Sequence, residues 1–406
     1  MQRIGIGQRR ARLARRHHLA PGAAAPGPVE VARGVVALHS TDPASVFLAV
    51  HARTAPVPVD PIEHALYRER TLLRMHGMRR TMFVVEAGLA PVIQAACTDG
   101  VVERSRRQYA KLLADAGVGD VAWLSKVADQ AAEALAAMGQ ATGAQLSAVV
   151  PALRTQLLLN QGKKYEARQN ITSWVLFLLA AEGRIVRGRP LGSWTGSQYT
   201  WFPMTAWLPG GMPAHPAPAA RAELARRWLA RFGPGTEADL RWWTGWTAGQ
   251  VRQALAEVRP VEVDLDGVTG LVLADDREPE PEPDPWVALL PALDSTPMGW
   301  AGRAWFLGEH RAAVFDRNGN IGPTVWCDGR IVGGWAQRPD GAIGYRLLED
   351  IGREAAAAVE AAAGALTGWV GQVRVTPRFR TPLERELTGP AGRGGQSGTG
   401  SGQDST

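Results

Sequence analysis

Apolar positions along the 406-residue chain fall into blocks that alternate between the helical and the strand period. Residues 3–19 put Leu13 and Leu19 on one face and Arg9, Arg10, Arg12, Arg15 and Arg16 around the other, which predicts a basic amphipathic helix. A Pro/Gly/Ala loop (21–28) and a short helix (29–38) lead to the polar run His39-Ser40-Thr41-Asp42, the turn before an apolar helix over 43–54. A further helix is predicted over 61–75, and a β-branched, apolar strand over 79–85 that opens on Arg79-Arg80. Three helices closing on a strand with arginines at its start is the order of a winged helix, in which one helix enters a groove while a hairpin rests on the backbone.

The same order returns twice. After an Ala-rich helical stretch (89–138), Thr142 caps a helix, a second follows Val150, and a third runs from Ile171 to Gly183. Strands over 184–190 and 198–202 complete that unit. A third copy has helices over 219–232, 237–243 and 247–257 and a hairpin turning at Asp266-Gly267. Residues 275–284 form an acidic, Pro-rich linker. Beyond it, short strands over 311–315, 323–327, 330–335, 342–347 and 369–375 and a helix over 350–367 suggest a small β-barrel. The expected class is therefore α+β, with three tandem winged-helix domains followed by a C-terminal barrel. The boundaries fall at 1–88, 89–208 (scaffold and second winged helix), 209–274, the linker 275–285, the barrel 286–385 and a Gly/Ser-rich disordered tail 386–406.

Composition narrows the function. Hydrophobic residues at 45% and charged residues at 21% describe a folded chain. Two distant cysteines, Cys97 and Cys327, imply neither a disulfide framework nor a zinc cluster. No apolar run is long enough to span a bilayer, and the basic start lacks a signal-peptide core, so a cytoplasmic, nucleoid-associated protein is expected. The net charge of +6 is uneven: residues 1–110 hold sixteen arginines, no lysine and eight acidic residues, leaving the rest of the chain slightly negative. That is the footprint of a partner such as a polyanion; arginine replacing lysine on solvated faces explains the same count.

The His39–Asp42 run is the best candidate for a site. Asp42 before Pro43 is equally an ordinary helix start, with Asp as N-cap and Pro at the first helical position. His39 and Thr41 are less well explained by capping. Arg79, Arg80, Arg187 and Arg189, at strand starts and hairpin tips, together with Lys163 and Lys164, are candidate DNA contacts. Histidines 39, 51, 64 and 76 lie in separate elements, so no metal site is expected. The chain has no P-loop, His-Glu-x-x-His or Gly-x-Ser-x-Gly motif. Trp242, Trp243 and Trp246 read as core, although exposed tryptophans can stack on bases.

An ordered series of short motifs from about residue 30 to 380 resembles the winged-helix DNA glycosylases of the AlkZ/YcaQ type. It comprises Met78-Arg79-Arg80-Thr81, Asn170–Leu176, Phe232-Gly233-Pro234-Gly235-Thr236 with Trp242-Trp243, Leu290-Pro291-Ala292-Leu293-Asp294 with Met298-Gly299-Trp300, and Asn320-Ile321-Gly322-Pro323 with Gly333-Gly334-Trp335. The resemblance implies a DNA-repair enzyme that hydrolyses the N-glycosidic bond of alkylated or bulky-adducted purines. The expected partner is double-stranded DNA, bound by a monomer, with no cofactor, membrane or protein partner expected. The resemblance also implies a catalytic Gln-x-Gln or Gln-x-Asp motif where this chain has His39-Ser40-Thr41. With that motif replaced, two readings stand. One is a glycosylase in which His39 holds or deprotonates the water, Thr41 is a second acceptor and Asp42 stabilises the sugar cation. The other is a non-catalytic DNA-binding protein, a regulator or damage binder. The first 110 residues lack lysine, which argues against a Schiff-base lyase there.

Overall fold

A computed structural model describes residues 1–159, 161–164 and 166–389. The fold is mixed α+β. Its site-bearing sheet has three antiparallel strands in the order Leu38–His39, Met82–Glu86, Leu72–His76. The helix expected over 61–75 stops at Arg68, and Leu72–His76 is a strand. All five of its residues are buried, so it reads as a continuous apolar run, and periodicity does not separate a strand covered on both faces from a helix. The predicted strand starts later, at Met82, because Met78–Thr81 form the hairpin turn.

The second unit carries a Thr142–Gln145 capping box, a helix at Thr172–Ala181 and a hairpin of Ile185–Pro190 with Tyr199–Pro203. The helix expected after Val150 is a single 3-10 turn, Pro151–Arg154. It leads into a hairpin, Gln156–Leu159 with Ala167–Asn170, that the sequence reading did not separate. The third unit matches its expected helices closely, at Ala217–Phe232, Glu237–Thr244 and Ala248–Val258, because capping boxes at Thr236 and Thr247 mark the last two starts. Its hairpin is extended by Gln2–Arg3, which pairs parallel to Val261–Asp264.

The C-terminal region is not a closed barrel. It is an open antiparallel sheet in the order Val287–Leu290, Thr324–Cys327, Arg330–Gln337, Ile343–Leu347. The helix Arg353–Val370 packs on both outer strands and buries Val359, Ala363, Leu366 and Val370, which covers the sheet without closure. Residues 311–315, expected as a strand, hold the short helix Arg311–Val314, and 369–375 continues the long helix to Val370. Of the disordered tail expected over 386–406, residues 386–388 belong to the helix Pro382–Thr388, capped by Thr381, and the part beyond 389 lies outside the described residues.

One apolar core runs from Leu13 to Leu383, and a second fills the unit between Tyr109 and Trp201. The first is crossed by a fully buried ion pair. Arg53 donates to both carboxylate oxygens of Asp294 at 2.9 and 2.6 Å, and to the Thr296 hydroxyl at 2.8 Å. The basic helix, Ile6–Arg16, spends much of its charge internally. Arg12 and Arg16 both bind Asp276, and Arg16 reaches Glu280, so the acidic linker lies clamped along this helix instead of free in solvent.

Candidate active site and nucleic-acid interface

His39 lies on the shortest strand of the site-bearing sheet, where residues from a distant segment hold it. Its backbone N–H donates to the Ser295 hydroxyl at 3.1 Å, and that hydroxyl donates to the Ala37 carbonyl at 2.6 Å. Ser45 donates to the Ala292 carbonyl at 2.7 Å. The segment 291–296 is thus fastened to the His39 strand and to the apolar helix behind it, Pro43–His51. The His39 ring meets Phe83 edge-on at 5.4 Å, and its Nδ1 accepts from the Thr41 N–H at 3.5 Å. Burial, with the nearby Arg79 charge, pushes His39 down to about 3, so the imidazole is neutral at any physiological pH.

The His39 ring borders a cleft of about 420 Å³ lined also by Arg79, Thr81, Trp242, Met298, Arg303, Arg311 and the loop 318–320. That volume lies within the range of small-molecule sites. Three arginines line it and no acidic side chain does. Trp242 is sandwiched between two of them: the guanidinium of Arg79 lies 4.0 Å, and that of Arg303 4.4 Å, from its ring centre. Burial pushes Arg303 down to about 10, helped by the like charges of Arg311 and Arg79.

Arg79 and Arg80 form the turn of the Leu72–His76/Met82–Glu86 hairpin, closed by the Thr81 N–H donating to the Met78 carbonyl at 3.0 Å. Both have positive φ, 53° and 64°, as the two central residues of a primed hairpin turn require. A non-glycine pair there is disfavoured, and the cation–π contacts offset it. Arg79 stacks on Trp242, while Arg80 lies 4.3 Å from the Phe177 ring centre and donates to the Tyr109 hydroxyl. Gly245, the left-handed cap of the Trp242 helix, lets Arg79 pass: a β-carbon there would come within 2.9 Å of the Arg79 side chain.

The other candidates are dispersed. Asp42 is the N-cap: its Oδ1 accepts from the Ala44 N–H and its Oδ2 from the Arg378 N–H, each at 3.2 Å. Burial nevertheless pushes its carboxyl above the ordinary range. It borders a narrow crevice with Ser45, Leu48 and Gln337, apart from the residues lining the His39 cleft. Thr41 is half-buried between them. Lys163 and Lys164 are exposed between the strands Gln156–Leu159 and Ala167–Asn170. Arg189 is exposed but paired with Glu63 at 2.7 Å, and Arg187 packs between the rings of Tyr199 and Trp201. Sequence reasoning missed Arg303, Arg311 and Ser295. Their only signal was proximity to the Leu290–Asp294, Met298–Trp300 and Asn320–Pro323 motifs.

A family model described as DNA glycosylase AlkZ-like matches residues 32–369, which include His39 and the arginines of its cleft. The chain belongs to the AlkZ-like DNA glycosylase family. The family assigns it to DNA repair, with DNA as its substrate. The DNA glycosylase AlkZ of Streptomyces sahachiroi has a similar fold, with a TM-score of 0.68 over 89% of this chain and 98% of that one, at 19% identity. No curated protein matches the sequence. Among the described residues, no group of three or more His, Cys, Asp or Glu could hold a metal, and no helix is long and apolar enough to cross a membrane.

Proposed function

We propose that this AlkZ-like protein is a monofunctional glycosylase that hydrolyses the N-glycosidic bond of an N7-alkylated or bulky-adducted purine in double-stranded DNA. The observation that carries this reading is the position of His39, which the resemblance makes the counterpart of a catalytic glutamine, against an arginine-lined cleft of about 420 Å³. The three helix–hairpin units are the winged helices that carry the duplex. Lys163 and Lys164 on one hairpin and Arg79, Arg80 and Arg189 elsewhere supply contacts to it. The protein acts alone, as a monomer, on the nucleoid.

An N7-alkylated purine already carries positive charge and leaves readily, so the protein's tasks are to hold the nucleotide, place a water and tolerate an oxocarbenium-like sugar. His39 holds the water rather than deprotonating it, since an imidazole titrating near 3 is a weak base. The Thr41 hydroxyl is the second acceptor. Asp42 has both oxygens engaged by backbone N–H groups and acts by fixing the turn that aims His39. The anion facing the sugar cation is then a phosphate of the substrate itself, held by Arg79, Arg303 and Arg311. No lysine lines the cleft, which fits hydrolysis without a Schiff base.

The engagement of Asp42 and the low basicity of His39 favour one competing reading, a damage binder without catalysis. Base release from N7-methylguanine duplex and from a bulkier N7-adduct separates the two. Abasic sites formed by wild type and lost in His39→Ala support the enzyme; duplex binding without release of either base supports the binder.

A further inference from the structure

The face of the site-bearing sheet opposite His39 carries a second basic cluster. In the strand register His39 stands opposite Phe83 and Met75, whereas Arg74 stands opposite Val84 on the next rung. Side chains alternate along a strand, so Arg74 projects to the other face. There it is 4% exposed, and only its Nη1 has a partner, the Tyr199 hydroxyl at 2.6 Å. Its Nε and Nη2 are buried and unpartnered. Arg187 stacks on the same tyrosine, its guanidinium 5.2 Å from the ring centre, and its Nε is also buried without a partner. The Tyr67 hydroxyl is buried beside Arg74 and interacts with its guanidinium. Arg378, whose backbone N–H holds Asp42, is exposed.

Nearby acids are already engaged. Asp42 accepts two backbone N–H groups, and Glu63 binds Arg189 at 3.0 and 2.7 Å. Burial above all, with the like charges of Arg74 and Arg378, pushes Arg187 down to about 10. A buried guanidinium with two unmet donors is strongly disfavoured unless an acceptor-rich group completes it. A tetrahedral phosphate, with its negative charge spread over several acceptor oxygens, matches donors converging from two guanidiniums and a phenol.

We propose that Arg74, Arg187 and Arg378 form a phosphate socket distinct from the His39 cleft. It rests on the DNA-acting reading, and the source we assign is a backbone phosphate of the DNA strand. A phosphate bound there sits behind the turn that carries His39 and Asp42. Docking of the strand and positioning of the catalytic turn are then one event.

The test compares wild type with Arg187→Gln, Arg187→Lys and Arg74→Met. Each binds a duplex carrying an abasic-site analogue between 50 and 200 mM salt. For a strand phosphate, Arg187→Gln lowers the slope of log K against log salt by about 0.9, the loss of one phosphate contact, and Arg187→Lys restores it. A single neutral methylphosphonate at the contacted position weakens wild type and leaves Arg187→Gln unaffected. Arg74→Met melts at or above the wild-type temperature in phosphate-free buffer, since it removes an unmet buried charge, and yet binds DNA more weakly. An unchanged salt slope, with inorganic phosphate raising the melting temperature of wild type but not of Arg187→Gln, keeps the socket and assigns it to free phosphate. Unchanged slope and no phosphate stabilisation, or an Arg74→Met that loses stability and keeps full DNA affinity, overturns the socket. Wild type that binds no duplex overturns the proposed function instead, and the inorganic-phosphate arm then decides the socket alone.

Discussion

The Ser295 hydroxyl accepts a hydrogen bond from the backbone N–H of His39 at 3.1 Å and donates one to the Ala37 carbonyl at 2.6 Å. One buried hydroxyl therefore fixes both ends of the tripeptide Ala37–His39, which opens the polar turn. Ser295→Ala leaves those groups unmet and costs about 1–3 kcal/mol of stability. Because the cleft arginines are untouched, base release falls more than duplex affinity does. Single-turnover kinetics beside equilibrium binding checks this; equal losses in both would show that Ser295 acts on the fold alone.

The Arg53–Asp294 pair anchors the same segment from below. Both side chains are fully buried, and removing one partner strands the other charge. Asp294→Ala destabilises the protein by about 3–5 kcal/mol, read by chemical denaturation. A loss under 1 kcal/mol would mean that the site opens to water.

Arg79 and Arg311 line the His39 cleft with exposed side chains. Arg79→Ala and Arg311→Ala each reduce the salt slope of duplex binding by about 0.9; the melting temperature changes little in Arg311→Ala and falls in Arg79→Ala, which loses its stacking on Trp242 in a positive-φ turn. An unaltered slope in both would remove the cleft from the DNA interface.

The buried histidines set the acid response. His39 and His76 titrate at about 3 when folded, and His17 well below its ordinary value, all chiefly through burial. Unfolded, each titrates near 6.5, so between these values the unfolded chain binds more protons. Stability is fully present above about pH 6.5 and is lost as pH falls below it. His39→Gln makes that loss shallower by up to about 1.4 kcal/mol per pH unit. Base release shows no acid limb near 6.5 between pH 6 and 8.5, because His39 stays neutral throughout; a limb there would show that His39 titrates in the open, as a free imidazole does.

Much of this was legible in the sequence where local chemistry decides structure. Thr142, Thr236 and Thr247 announce their helices by capping boxes, Asp42 by its position before Pro43, and Asp266-Gly267 its hairpin. The strand Leu72–His76 was misread because burial on both faces erases its period. The barrel was inferred from strand count alone, and closure is a property of how the two outer strands meet, which no local pattern records. The site was half visible. His39, Arg79 and Arg80 stood out as polar residues beside apolar runs, but Arg303 and Arg311 reach the cleft, and Ser295 the His39 backbone, from more than 200 residues away by tertiary packing. Arginine count overstated the DNA footprint, since Arg12 and Arg16 are consumed by Asp276.

The central claim is that His39 serves a hydrolytic site, and the direct measurement is abasic-site formation by alkaline cleavage on N7-methylguanine duplex and on a bulkier N7-adduct. Wild type and His39→Ala are run side by side, with duplex affinity measured for both. The account predicts release by wild type, loss of release in His39→Ala, and affinities within a few-fold of each other. Release that survives in His39→Ala, or none from either adduct with binding intact, would contradict it.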